Sequence, residues 1–578
     1  MKKVLNIFIV ISISLIVILS PIKATAQNIP PGQGSEAAAS RFQDEAERRK
    51  AALMTKEGKA PKVEVEEKKG PAPMVSEVTF VLKDLKITGS TLFKPEELLP
   101  VYHKYIGKEV SFKEIDEIVE QIKEKYKARG YLTTTAYVPE QQIMGGVVEI
   151  RILEGKMGNL VIEGNKWFTK SLIEKYIHVK KNELLNINIL QRDLLRLNQN
   201  TDIDVRTVIE PGDDPQASDI TLKVEDKFPY HAGVGADDQG TRLTGKYRAS
   251  AFARSTNFTA NNDFVFYNSV ASSDSAGQFV TYMVPIDTYG TKVGFDFSYF
   301  TSKIGREYRD YDIVGNTINY IPHVTGEIYL SENMQLFADA GLNIKANMKS
   351  VHSDTTVEEQ LRIPYFRMDM ARIDSFLGGG QTIFSPEIDF SIGNGFLGAS
   401  WEDNPKAARV GTCGFFFKYI HNLRRVQRMP WESYISMRHQ LQVATHTLPS
   451  SEQFQIGGLS TVRGYPEGDY LADTAATLST EWVFPMYFIP KDYKLPYDNT
   501  PLRNEIQPVV FVDLGGGTLL RTIPGEMEYK FLMGLGGGLK INLYNRLSVL
   551  LEWAQAVGSK PTANSGPSTF HITASFEL

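Results

Sequence analysis

Two short segments contain the residues of this chain that are best suited to an ionic interaction. The first is flanked by glycine and proline, which predicts a loop tip, and it consists of Val462, Arg463, Gly464 and Tyr465. The second alternates along its length as a β-strand does, and one of its faces carries Phe511, Asp513 and Gly515. An arginine can donate two parallel hydrogen bonds to one carboxylate, so a salt bridge between Arg463 and Asp513 would hold the loop against the strand. The alternative is that they are two unrelated surface charges.

Residue patterns of enzymes and of metal sites are not found in the sequence. The nine histidines show no metalloprotease spacing and do not pair with the single cysteine, Cys413, so we predict no metal site and no catalytic residue. Residues 240–246 match the start of a phosphate-binding loop, but Tyr247 stands where a hydroxyl side chain must bind magnesium. A hairpin turn explains that segment better. We therefore expect neither enzyme activity nor a cofactor.

The N-terminal part of the chain predicts export from the cytoplasm. Lys2 and Lys3 precede a long apolar stretch and then small residues, which is the pattern of a signal peptide over residues 1–26; an uncleaved anchor is the alternative. The formal net charge of −5 makes nucleic acid an unsuitable partner. Residues 27–76 predict a polar helix at 35–54 followed by a proline-containing linker. Such a helix is either solvated or enclosed in a water-filled lumen.

An internal repeat follows the linker. Gly89 and Phe93 recur as Gly164 and Phe168, in both cases 75 residues later and after a short apolar strand. Helical periodicity and then strand periodicity follow in both copies, which gives the order β-α-α-β-β twice. A repeat of this kind predicts two small α+β modules, at residues 77–154 and 155–227.

From residue 228 to the C-terminus, alternation replaces helical periodicity. Val293, Phe295 and Phe297 alternate with small or polar residues, and the same pattern ends the chain at Leu578. One apolar and one polar face predict the strands of a transmembrane antiparallel β-barrel over residues 228–578. At ~9–11 residues per tilted strand plus turns, this length fits about 16 strands. A soluble all-β domain is the alternative.

These features together resemble the two-partner secretion transporters, which are the hemolysin secretion/activation family of the outer-membrane assembly-factor superfamily. The resemblance rests on the Val-Arg-Gly-Tyr loop, the Phe-x-Asp-x-Gly strand and the two modules, and it covers nearly the whole mature chain. It implies two periplasmic POTRA-like domains, a barrel of sixteen strands and a plug formed by residues 35–54. It also implies that residues 462–465 form the tip of the sixth loop and that Asp513 is the inner-wall partner of Arg463. One departure is Leu578 at the end of the chain, where an aromatic residue is usual.

The resemblance implies a protein of the Gram-negative outer membrane. Its periplasmic domains would recognise an unfolded exported client, and its barrel would pass that client to the cell surface or medium. The implied partners are the secreted client, a large β-helical exoprotein, together with outer-membrane lipid and the barrel assembly machinery during biogenesis. The alternatives are a barrel-assembly or insertion factor of the same superfamily, a passive porin and a barrel-type enzyme. A porin leaves the paired modules unexplained, and an enzyme needs an acid–base–nucleophile set that the sequence lacks.

Overall fold

The computed structural model describes residues 31–54, 63–65, 79–143, 145–409, 411–523, 526–562 and 566–578. The predicted signal peptide lies outside the described residues. Within the described ranges, no helix is both long enough and apolar enough to cross a membrane.

The segment before the barrel forms a helix and two α+β modules. Its helices are α1 (Ser35–Met54), α2 (Pro95–Tyr102), α3 (Phe112–Ala128), α4 (Lys170–Lys175) and α5 (Ile187–Asn198). Its strands are β1 (Val63–Val65), β2 (Thr79–Val81), β3 (Asp84–Thr88), β4 (Glu109–Ser111), β5 (Thr135–Tyr137), β6 (Val147–Leu153), β7 (Lys156–Glu163), β8 (Ile203–Pro211) and β9 (Ala217–Asp226). The linker was predicted without regular structure, but it contributes β1.

Each module packs two helices on a small sheet. In the first module the strand order is β3-β6-β5, and β2 pairs separately with β4. The apolar side of α3 forms the centre of its core, with Ile115, Ile118 and Ile122 fully buried. In the second module the order is β1-β8-β9-β7, so the linker strand lies at one edge of the sheet.

In each module a carboxylate fixes one turn, the turn after β3 in the first module and the turn after β7 in the second. In the first, Glu154 accepts hydrogen bonds from the backbone N–H groups of Thr91 and Leu92, at 2.8 and 2.9 Å. In the second, Asp226 accepts them from the N–H groups of residues 166, 167 and 168. Burial disfavours the charge of Glu154, but the hydrogen bonds outweigh this effect and hold its pKa below the usual value. The repeat seen in the sequence is therefore also a repeat of this capping interaction.

The rest of the chain forms a closed barrel of sixteen strands in which sequence neighbours pair antiparallel. Its strands are β10 (Tyr230–Asp237), β11 (Arg248–Ser255), β12 (Phe264–Ala271), β13 (Ser275–Pro285), β14 (Lys292–Lys303), β15 (Val314–Leu330), β16 (Met334–Val351), β17 (Asp354–Asp374), β18 (Gly380–Ser391), β19 (Phe416–Arg428), β20 (Tyr434–Ala444), β23 (Thr474–Val483), β24 (Ile506–Thr518), β25 (Tyr529–Leu543), β26 (Leu547–Ala556) and β27 (Ser568–Glu577). The barrel closes where β27 pairs with β10. A short helix, α6 (Leu502–Glu505), precedes β24.

Alternation along the strands separates the two faces of the barrel wall. On β24, Val510 and Val512 are 51% and 41% exposed on the outer surface. Phe511 and Asp513, at the alternating positions of the same strand, are 4% and 0% exposed, because they point into a filled bore. These are the faces that the sequence pattern predicts.

The loop between β20 and β23 folds into the bore. It comprises residues 445–473 and contains a small hairpin of β21 (Phe454–Ile456) and β22 (Tyr470–Ala472). We call these residues the motif loop, because they include Val462 to Tyr465. The hairpin brings residues from the middle of a long connection close to the inner wall.

The second module is attached to the barrel by polar contacts. Arg196 on α5 donates two hydrogen bonds to Glu327 at the end of β15, at 2.9 and 2.8 Å. Asn200 donates to Asn262 at 2.7 Å, and the ring of His178 hydrogen-bonds Thr288 at 2.9 Å. These contacts fix the module beneath the barrel and mark the barrel end from which β10 starts.

Candidate functional site in the bore of the barrel

Arg463 is the central residue of the motif loop. Its Nε and Nη2 donate to the two carboxylate oxygens of Asp513, at 2.7 and 2.8 Å, and its own backbone N–H donates to the same carboxylate at 3.0 Å. The Arg463 side chain is only 2% exposed. The structure therefore brings the two motif residues together in a bidentate ion pair, a geometry that lysine cannot reproduce.

Two further carboxylates contact the same guanidinium. Nη1 of Arg463 donates to Glu481 on β23 at 2.7 Å and to Glu552 on β26 at 3.0 Å. Lys540 on β25 pairs with Glu481 and balances part of the excess negative charge. One arginine thus connects three wall strands, because a buried charge requires compensation from every side.

Glu481 and Glu552 were not predicted as partners of Arg463 from the sequence. Each lies next to a tryptophan that faces outward, so strand alternation alone places both carboxylates in the bore. Strand alternation does not identify the inward carboxylates that contact the loop. Those contacts depend on the curvature of the wall and on the path of residues 445–473.

The other motif residues shape the contact around Arg463. The Phe511 ring lies under the guanidinium, with 3.4 Å between its centroid and Cζ of Arg463. A Cβ at Gly515 would lie 2.7 Å from Cγ2 of Val462, so only glycine leaves room for the loop. Gly464 has φ +92° and faces the backbone of residues 555 and 556, which also requires glycine. Tyr465 is fully buried, and its hydroxyl accepts a hydrogen bond from the N–H of Met533.

A second ion-pair cluster holds the beginning of the motif loop. Glu452 pairs with Lys345 on β16 and, at 2.7 Å, with Lys418 on β19. The loop therefore carries a negative anchor near one end and a positive anchor at its tip. The negative anchor pairs with lysines of the wall and the positive anchor pairs with carboxylates of the wall. The loop therefore has one favourable orientation in the bore.

Helix α1 lies inside the barrel beside the motif loop. Ionic and apolar contacts both hold it against the wall. Lys50 pairs with Asp296 at 2.6 Å, Glu45 with Arg248 at 2.9 Å, and Glu36 with Lys349 at 3.3 Å. The apolar side of the helix, centred on Phe42, packs into one buried cluster with side chains of the barrel that include Phe266, Phe279 and Phe300.

The N-terminal end of α1 rests on the motif loop. The side-chain amide of Gln455 on β21 donates to the carbonyl oxygen of Ala37 at 2.7 Å. The backbones of Gly32 and Gly468 also touch, since a Cβ at Gly32 would lie 1.6 Å from the carbonyl oxygen of Gly468. Loop and helix therefore fill the bore as one assembly.

Among the described residues, no group of three or more His, Cys, Asp or Glu side chains could hold a metal ion. The three carboxylates that contact Arg463 are paired with its guanidinium, and Glu452 is paired with lysine. The arrangement holds a loop and a helix in place, and its polar contacts can be exchanged for contacts with water.

Comparison with known proteins relates this architecture to secretion proteins. Residues 216–541 match the family model described as haemolysin secretion/activation protein ShlB/FhaC/HecB, and residues 80–155 match the ShlB-type POTRA domain. The heme/hemopexin transporter protein HuxB of Haemophilus influenzae strain 86-028NP is 23% identical over 391 residues, which are 67% of this chain and 69% of that protein. The outer membrane transporter CdiB of Dickeya dadantii is 24% identical over 409 residues, again 67% and 69% of the two chains.

A solved structure shares the fold. CdiB from Escherichia coli superposes with a TM-score of 0.73 at 18% identity, over 96% of this chain and all of that one. Because the family model matches more than half of the chain, the assignment does not depend on any single relative. The chain belongs to the haemolysin secretion/activation protein family, the outer-membrane transporters of two-partner secretion.

Proposed function

We propose that this transporter takes an unfolded client protein onto its second POTRA domain and passes it outward through the bore that α1 occupies at rest. The observation that carries this proposal is the position of α1, a helix rich in charged residues that is held in the barrel by ion pairs with the wall and by the packing of Phe42. Water can replace the polar contacts when the helix leaves the bore, and the bound client must compensate for the loss of the apolar contacts. The client is a secreted exoprotein, and no step requires catalysis.

The edge of the second POTRA sheet supports a route for the client. Strand β8 spans Ile203–Pro211, and among the described residues β1 pairs in parallel on its outer side with three of them, Thr207, Val208 and Ile209. An extended client segment could pair with the full length of β8 through main-chain hydrogen bonds. Since each hydrogen bond contributes about 0.5–1.5 kcal/mol net, a longer segment would displace the three-residue strand.

Displacement of β1 would also affect α1. Both belong to the same stretch of chain, with Met54 at the end of the helix and Val63 at the start of β1. Pairing of β1 with β8 holds that stretch against the second POTRA domain. When a client takes its place, the helix is free to move towards the periplasm and the bore opens.

The remaining partners follow from the location of the barrel. Outer-membrane lipid surrounds the exposed face that carries Val510 and Val512. The barrel assembly machinery inserts the strands and meets the end of the chain at Leu578, where Phe576 supplies an aromatic residue on the same outward face. Folding of the client outside the cell prevents its return and gives transport its direction.

The first prediction concerns pairing between β1 and β8. Replacing Val63 and Val65 with proline removes two backbone donors and should release β1. Deuterium uptake by residues 207–209 is then expected to rise, and the barrel should conduct ions more often in planar bilayers. The matched control, Val63→Ala with Val65→Ala, keeps both N–H groups and should behave as the wild type. Unchanged uptake in the proline variant would mean that β1 does not protect this edge.

The second prediction concerns the hold on α1. Lys50→Glu places a negative charge beside Asp296 and should raise the open fraction of single channels several-fold, because an ion pair becomes a repulsion. Arg48→Glu makes the same charge change on a helix position that hydrogen-bonds only within α1, to the carbonyl of Asp44, and should have a much smaller effect. Deleting residues 35–54 sets the fully open reference. Wild-type conductance in all three variants, including the deletion, would show that α1 does not close the bore.

The third prediction concerns Arg463. Arg463→Ala leaves three carboxylates of the bore without their guanidinium, and breaking such a buried pair costs about 3–5 kcal/mol. We expect the motif loop to become cleavable by protease added outside the cell and client secretion to stop, while the barrel stays heat-modifiable on gels. Arg425→Ala removes an arginine paired with Asp374 at the barrel rim and serves as the control, with secretion retained. Normal secretion by Arg463→Ala would contradict this role of the loop.

A further inference from the structure

A groove of about 1040 Å³ lies where the first and last barrel strands meet, at the periplasmic end. Strand β10 begins at Tyr230, and its ladder with β27 covers residues 233–237. A last backbone hydrogen bond runs from the N–H of Leu578 to the carbonyl oxygen of Ala232, so the pairing ends at Ala232. Small outward side chains, Ala232 and Ala253, form the floor of the groove. Tyr230 and Tyr267 lie along its sides. The result is a slot between aromatic rings on a surface that faces acyl chains.

Charged groups line the periplasmic side of this groove. Its two acidic side chains are already paired, Glu577 with Arg254 at 2.9 Å and Asp202 with His231 at 3.0 Å. Lys227 and Arg546 add two exposed positive charges. The groove therefore combines apolar walls with an excess of side-chain cations at one end.

An aromatic cluster places this groove at headgroup level. Trp167 of the second POTRA domain packs edge-on against Phe228, with 4.9 Å between ring centroids, and Phe228 packs against Tyr230 at 5.3 Å. All three rings are about half exposed. Tryptophan and tyrosine are favoured where membrane meets water. The cluster thus continues the outward face of the barrel onto the POTRA domain.

We propose that this groove binds one glycerophospholipid of the periplasmic leaflet, with its phosphate at the cationic end formed by Lys227 and Arg546. An acyl chain fills the slot over Ala232 and Ala253, beside Tyr267. The lipid then links the segment that follows the second POTRA domain, the seam between the first and last barrel strands, and the turn before β26. This binding is separate from client transport and does not depend on the route through the bore.

Native mass spectrometry of the full-length protein with added phosphatidylethanolamine tests the proposal. Lys227→Ala with Arg546→Ala should weaken binding roughly tenfold or more, because charge-assisted hydrogen bonds to phosphate are lost. Arg372→Ala with Lys491→Ala removes two positive charges elsewhere on the periplasmic rim and should leave the affinity unchanged. Equal binding by both double variants would overturn the site.

Two further measurements test the acyl-chain slot and the phosphate contact separately. Ala253→Trp fills the slot from the outer surface without entering the bore, and it should abolish binding while the barrel remains folded. Diacylglycerol, which lacks the phosphate, should bind weakly and with the same affinity in the wild type and in the Lys227/Arg546 variant. Retained binding in Ala253→Trp, or displacement of the lipid by excess inorganic phosphate alone, would contradict a phospholipid groove. Since no client is present, the outcome is independent of the proposed transport function.

Discussion

A guanidinium withdrawn from bulk water must be matched by negative charge, and Arg463 meets this requirement with three carboxylates on the wall of the barrel. The rest of the bore depends on this match. It fixes the tip of the motif loop, and Glu452 with its two lysines fixes the beginning of the same loop. The held loop then offers Gln455 and the Gly468 backbone to the N-terminal end of α1. Without Arg463, α1 would lose its contacts with the motif loop.

The barrel wall encloses two segments that are not part of it, the helix α1 and the motif loop. The wall is the closed ladder of sixteen strands, in which every backbone group of a strand interior can pair with a neighbour. Inside the barrel lie α1 and the motif loop, which are held by ion pairs, by side-chain hydrogen bonds and by two apolar clusters, one around Phe42 and one around Tyr465. The second POTRA domain contacts the barrel through Arg196 and Glu327, and three described residues of the linker pair with its β8 edge. The coupling that we propose between client binding at that edge and opening of the bore rests on this pairing.

Strand alternation was sufficient to predict the barrel and its two faces, whereas the pairing of Arg463 with Asp513 was left open by the residues and was implied by the family resemblance. Asp513 could be assigned to the bore because Val510, Val512 and Leu514 occupy the opposite face. Glu481 and Glu552 were missed, since their meeting with Arg463 depends on the path of the loop and not on local pattern. The location of α1 also remained open, because a polar helix fits solvent and a wet bore equally well. Strand β1 has only three residues, too few for any periodicity, and its pairing arises from the exposed edge of β8.

Whether α1 must leave the bore is tested most directly by tying it there. The side chains of Lys50 on α1 and Asp296 on β14 meet at 2.6 Å, and the one native cysteine, Cys413, is buried and can be replaced by serine. Secretion of the co-expressed client is measured for Lys50→Cys with Asp296→Cys after a short bifunctional methanethiosulfonate has bridged the two thiols, before and after reduction, with bridging checked by gel shift. We expect no secretion from the bridged form and recovery on reduction. Undiminished secretion by the fully bridged form would contradict the exit of α1 from the bore.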